Sequence, residues 1–127
     1  MLPFARVTII GLGLIGSSIA HAVRANMPTV RLTGHDADPE VRATADRLML
    51  CDDIADTAGA AVIDADLVIL CVPVGAMTMV AGAIRDDLPA DAIVSDVGSC
   101  KEEVARVLVA ALESEGFRVR VLQDAEA

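Results

Sequence analysis

Residues 6–10 read Arg-Val-Thr-Ile-Ile and are followed by Gly11, a β-branched run that predicts a short buried strand. From Leu14 the apolar spacing lengthens. Leu14, Ile15, Ser18, Ile19, Ala22 and Val23 repeat at the interval of one helix face. Residues 30–36 form a second predicted strand, and Pro39 opens a helix carrying Val41, Ala45 and Leu48. A weak third strand is expected over 49–54 and a short helix over 57–63. Residues 67–72, Leu-Val-Ile-Leu-Cys-Val, form the most hydrophobic run, as expected of a strand covered on both faces of a parallel sheet. Pro73 ends it. The next helix is expected to bury Met77, Val80, Ala81 and Ile84, and a fifth strand follows over 92–97. Val104, Val107, Leu108, Ala111 and Leu112 then mark one side of a further helix. Finally Phe117, Val119 and Val121 alternate with Arg118, Arg120 and Gln123, the pattern of a half-exposed edge strand.

Strand and helix therefore alternate about five times before a closing strand. This order predicts a doubly wound parallel α/β sheet of the Rossmann type, strand order 3-2-1-4-5-6, in one domain over residues 1–127. Two stretches imitate other things. Residues 1–22 have an early Arg6 and an apolar run like a signal peptide, but three glycines interrupt that run. Residues 67–84 lack charge, yet Pro73 and Gly75 divide them into pieces too short for a bilayer.

Composition sharpens this picture. Apolar residues make up 54% of the chain, with two Phe and no Trp or Tyr, so the core must be aliphatic. A formal charge of −9, from 10 basic and 19 acidic side chains, argues against a nucleic-acid partner. Any bound phosphate must then be held mainly by main-chain N–H groups and a helix end. Cys51, Cys71 and Cys100 are widely spaced, with no C-x-x-C pair and no cysteine–histidine cluster to suggest a metal. They read as reduced thiols, which places the chain in the cytoplasm.

Gly11-Leu12-Gly13-Leu14-Ile15-Gly16 supplies such a phosphate site. This G-x-G-x-x-G follows a predicted strand and opens a predicted helix, the context its chemistry requires. Gly11 permits the tight turn, Gly13 lets the main chain approach a pyrophosphate, and Gly16 lets helix pack on strand. The first helical turn, with Leu14 and Ile15, carries no carboxylate, so its free N–H groups and positive end face the phosphates unopposed. Asp36 lies about twenty residues past Gly16, at the end of the second strand. A carboxylate there would accept the 2′-hydroxyl of the adenosine ribose and repel a 2′-phosphate, favouring NAD over NADP. Asp38 competes for that role, and Asp36 could equally be a turn former. Arg42, the nearest downstream cation, could complicate that exclusion of NADP but is expected on the helix surface. The ends of the later strands should line the nicotinamide half: Cys71, Val72, Pro73 and Val74, then Asp96, Val97, Gly98 and Ser99. Pro73 could simply stop a strand, and Ser99 with Glu102 makes a capping box. His21 is expected to be a solvated helix residue and His35 to lie beside the adenosine. Neither is spaced as a catalytic base.

Taken together, Val7 to Ser18 with its Gly-Leu-Gly-Leu-Ile-Gly-Ser-Ser, then Gly34-His35-Asp36, Leu67 to Val74, and Ser95-Asp96-Val97-Gly98-Ser99-Cys100-Lys101 resemble the prephenate and arogenate dehydrogenases of tyrosine biosynthesis. That resemblance implies NAD-dependent oxidative decarboxylation of prephenate to 4-hydroxyphenylpyruvate, or the matching reaction of arogenate. It implies a serine, here Ser99, near the nicotinamide, and a catalytic histidine in an H-P-x-x-G segment after the Asp96–Lys101 motif. It also implies a homodimer built by a second, helical domain that grips the substrate. Residues 117–127 contain no H-P-x-x-G, and no helical domain follows, so the chain is expected to bind cofactor with little turnover alone. Two other classes share the early glycines: a β-hydroxyacid or imine reductase, and a stand-alone NAD-binding module.

Overall fold

A computed structural model describes residues 5–96 of the chain. Five parallel strands form one sheet in the order β3-β2-β1-β4-β5. The expected sixth strand, and the helix before it, lie outside the described residues. Strand β1 is Arg6–Ile10, followed by α1 at Leu14–Asn26, β2 at Arg31–His35 and α2 at Pro39–Arg47. Next come β3 at Asp53–Ile54, α3 at Ala58–Val62 and β4 at Leu67–Leu70. A 3₁₀ turn at Val74–Ala76 leads into α4 at Met77–Ile84, and β5 is Ile93–Asp96. The jump from β3 across β1 to β4 creates the switch point of a doubly wound sheet, which leaves a crevice at the strand carboxyl ends. No described helix is long and apolar enough to cross a membrane.

Side-chain alternation along β1 splits the core into two layers. Val7 and Ile9 point to one face with Leu32, Leu67 and Ile69, where Ala20 and Val23 of α1, Met27 at its C-cap and Ala45 of α2 cover them. Ile10 points to the other face with Val68 and Leu70, under Ala61, Val62 and Ile84. Thr8 also faces that second layer, and its hydroxyl donates to the Ala61 carbonyl at 2.6 Å. This bond satisfies a buried hydroxyl and ties β1 to α3.

Two aspartates staple strands at their amino ends. Oδ2 of Asp66 accepts from the Ala5 and Arg6 N–H groups, joining β1 to the entry of β4. Oδ2 of Asp52 accepts from the Leu32 N–H, while its Oδ1 pairs with Arg24 of α1 at 2.6 Å.

Several expectations need correction. The buried stripe of α1 is Gly16, Ala20 and Val23, while Leu14 is 85% exposed and Ile15 also faces outward. Close packing at Gly16 sets the helix rotation, and small residues rather than large ones lie against the sheet. Leu48 is exposed, and so is Ala81; Met77 and Val80 are only partly covered. Strand β3 is shorter than expected because Met49 takes a left-handed turn with φ 56° and the chain rejoins the sheet only at Asp53. Strand β4 ends at Leu70, although the Cys71 N–H still donates to the Ile10 carbonyl.

Candidate functional site

The glycine-rich turn joins β1 to α1 at the carboxyl edge of the sheet, as its sequence predicts. Gly11 has φ +100°, a conformation that L side chains rarely adopt, and a Cβ there would strike the Cys71 carbonyl. A Cβ on Gly16 would strike the carbonyl oxygen of Gly11. Folding therefore demands both glycines. Gly13 differs: it has an ordinary φ of −73°, and a Cβ on it would meet nothing within 4 Å. The fold leaves open space at Gly13, where a ligand could approach the main chain.

Gly13 is the N-cap of α1, and no side chain caps that helix end. The first turn holds no acidic residue, and the first helical bond runs from the Ser17 N–H to the Gly13 carbonyl. The N–H groups of Leu14, Ile15 and Gly16 are thus left for an outside acceptor, at the positive end of a 13-residue helix. Leu14 and Ile15 present apolar surface beside them.

Across the turn stands Asp36. Its Oδ2 accepts from the Leu12 N–H at 2.8 Å, and its Oδ1 accepts from the Asp38 N–H at 2.9 Å. Each oxygen keeps a lone pair, so the carboxylate can brace the turn and still accept a hydroxyl. Asp38, the competing acid, instead caps α2 by accepting from the Glu40 N–H. His35 ends β2 at the same edge. Its ring is buried, with Nδ1 at 2.9 Å from the Ala55 carbonyl, while its own carbonyl accepts from the Gly11 N–H. His21 is exposed on α1.

The ends of β4 and β5 reach the same edge, since Leu70 pairs with Asp96 in register. Cys71 and Val72 are half-buried there, Pro73 is exposed, and Val74 begins the 3₁₀ turn. Val97, Gly98 and Ser99 lie outside the described residues. Burial pushes the Cys71 thiol up to about 12, and burial likewise raises Cys51 to about 12. Both are protonated and inert at neutral pH. Cys100 lies outside the described residues. Among the described residues no cluster of histidine, cysteine and carboxylates could hold a metal.

Sequence reasoning missed two participants. Leu12 contributes only its N–H, for which no side-chain signal exists. Arg42 was expected on the helix surface, but it is half-buried and its Nη1 donates to the Asp36 carbonyl at 2.8 Å. A cation near a helix start, where the dipole opposes it, was the available clue. A separate cavity of about 250 Å³, lined by Arg6, Thr8, Arg31, Thr33 and Asp53 among others, opens between the strands and α3. It lies toward the amino ends of the strands, away from the glycine turn, and Asp53 already neutralises Arg31 there.

Known proteins resemble this chain in sequence and fold. The chain is 46% identical to a cyclohexadienyl dehydrogenase of Zymomonas mobilis over 108 residues, covering 85% of this chain and 37% of that protein. It is 35% identical to a prephenate dehydrogenase of Bacillus subtilis over 99 residues, covering 77% of this chain and 27% of that one. The crystal structure of Aquifex aeolicus prephenate dehydrogenase, bound to hydroxyphenyl propionate and NAD⁺, superposes with a TM-score of 0.70 at 29% identity. That match covers 89% of this chain and 38% of the other. The chain thus spans between 27% and 38% of its relatives' lengths. The family model for the nucleotide-binding domain of prephenate dehydrogenase matches residues 19–118, and the chain belongs to that family.

Proposed function

We propose that this chain is the NAD-binding part of a dehydrogenase acting on prephenate or arogenate. The observation that carries the reading is the pairing of an uncapped, acid-free α1 start with Asp36 facing the same turn. The Leu14, Ile15 and Gly16 N–H groups would hold the pyrophosphate, with Gly13 giving it room. Asp36 would accept the ribose hydroxyls through its spare lone pairs and disfavour a 2′-phosphate. The ends of β4 and β5, including Cys71, Val72, Pro73, Val74 and Asp96, would flank the nicotinamide, with Gly98 and Ser99 close behind in sequence. The chemistry NAD⁺ supplies when bound is acceptance of a hydride from the substrate ring. Loss of the ring carboxylate as CO₂ would then make the product aromatic.

Neither histidine is suited to move the substrate proton. The His35 Nδ1 is engaged with the Ala55 carbonyl inside the core, and His21 sits in the middle of α1, away from the turn. The proton acceptor and the groups that grip the substrate would come from the helical domain that the family resemblance implies, which would also form the dimer. Unpaired Cys51 and Cys71 suit the reducing cytoplasm. Isothermal calorimetry on the 127-residue chain tests the binding half: NAD⁺ should bind, and more tightly than NADP⁺. Absence of any NAD⁺ binding to the folded chain overturns the proposal. Prephenate added with NAD⁺ should give negligible NADH, and brisk turnover would locate a base within this chain.

A further inference from the structure

The face of the sheet under α3 carries side chains that a buried parallel sheet does not call for. Thr8, Thr33 and Asp53 stand side by side on β1, β2 and β3, and Arg6 and Arg31 form the next row toward the amino ends. Parallel strands covered on both faces are ordinarily aliphatic, as Val7, Ile9 and Leu32 are on the opposite side. The Thr8 hydroxyl is satisfied by the Ala61 carbonyl, whereas the half-buried Thr33 hydroxyl makes no hydrogen bond among the described residues. Helix α3 is five residues long and sets only the small Ala60 and Ala61 against this row, which leaves the cavity of about 250 Å³. Arg31 gives both Nε and Nη2 to one oxygen of Asp53, Oδ2, so its Nη1 donors make no hydrogen bond among the described residues. Local patterning broken without a compensating bond is where functional sites are found.

We infer that this cavity is a second ligand site, built for a small monocarboxylate with a compact apolar body. Arg6 and Arg31 are register partners on hydrogen-bonded strands, about 4.8 Å apart, and two like charges so placed repel unless an anion lies between them. Arg6 and the spare Nη1 of Arg31 hold the carboxylate, and the Thr33 hydroxyl donates to it from the floor. Asp53 cancels one of the two arginines, so the mouth offers a single positive charge, and the exposed Asp64 at its rim turns away a dianion. Ala55, Ala60, Ala61 and Ile63 give the body of the ligand apolar walls. At about 250 Å³ the space falls short of the roughly 300–1,000 Å³ of pockets for drug-sized ligands, so it excludes a dinucleotide and admits a branched acid of a few carbons. This site lies at the opposite edge of the sheet from the glycine turn and needs no dinucleotide.

The test titrates isovalerate into the isotope-labelled 127-residue chain and follows the amide signals by NMR. Saturable shifts should appear at Thr8, Thr33 and Ala61, with a Kd on the order of 1–10 mM. The neutral isovaleramide and inorganic phosphate should each bind at least about fivefold more weakly, the first for want of charge and the second for excess of it. Arg6→Gln removes an exposed charge and Thr33→Val keeps the branched shape that suits a strand, so both fold, as a cooperative melt verifies. Each should weaken isovalerate about fivefold, the worth of one hydrogen bond. No saturable shift, equal binding of the amide or of phosphate, or undiminished affinity in the two variants overturns the assignment. Shifts centred on residues 11–16 instead would move the anion to the glycine turn and overturn it equally.

Discussion

The Leu12 N–H donates to Oδ2 of Asp36 at 2.8 Å across 24 residues of sequence, locking the glycine turn to the end of β2. One carboxylate thus holds the shape of the turn and faces the place where a ribose would lie. Asp36→Ala should destabilise the fold by about 1.5–3 kcal/mol, the range for a bond to a charged acceptor, and narrow the preference for NAD⁺ over NADP⁺. Asp36→Asn keeps an acceptor for Leu12, so it should lose less stability while narrowing the preference similarly. Urea unfolding and calorimetry on the pair separate bracing from recognition.

The three glycines should behave differently. Gly13→Ala meets no protein atom and adopts an allowed φ, so its melting temperature should stay close to the parent's. Its NAD⁺ affinity should fall at least about tenfold, because the methyl group would occupy the space left for the pyrophosphate. Gly16→Ala forces a Cβ against the Gly11 carbonyl and should cost about 3 kcal/mol or more. Chemical denaturation with parallel binding assays would show the contrast; unchanged binding in Gly13→Ala would contradict a phosphate at that position.

Met49 holds φ 56° while 71% exposed, so it bears left-handed strain without much packing in return. Met49→Gly should raise stability by about 1 kcal/mol, seen as a higher urea midpoint at unchanged slope.

Asp52 titrates below its ordinary 3.8, chiefly because it accepts from the Leu32 N–H and secondarily because Arg24 bonds to it. A carboxyl depressed in the folded state contributes stability above its unfolded pKa and loses it as pH falls through the folded value. The parent should therefore weaken steadily from about pH 4 downward, and Asp52→Asn should show a flatter profile over that window. Thermal melts between pH 7 and pH 2.5 would reveal the difference.

Cys51 and Cys71, both raised to about 12 by burial, should resist alkylation by iodoacetamide in the native protein at pH 8 and react promptly in urea. Peptide mapping by mass spectrometry distinguishes them from Cys100.

Much of this architecture could be read from local signals. A β-branched run closed by Gly11 places β1, an apolar run stopped by Pro73 places β4, and the spacing from Gly16 to Asp36 places an acid opposite the turn. The rotation of α1 could not be read this way. Periodicity pointed Leu14 and Ile15 inward, but hydrophobic patterning gives little weight to Gly16 and Ala20, whose small size sets the contact. Long-range polar bonds were equally hidden: nothing local shows that Asp52 and Asp66 staple neighbouring strands, or that Arg42 turns back to the main chain of Asp36. The contact of the His35 ring with the Ala55 carbonyl was hidden for the same reason, since Ala55 belongs to a different strand connection.

The brevity of β3 has a bearing on how the molecule behaves in a crowd. Two residues of outer strand, one of them engaged by Arg31, expose too short a row of main-chain donors and acceptors to template another chain. Intermolecular strand addition is discouraged on that flank, so the domain can carry a mostly apolar sheet at high concentration without zipping to its copies there.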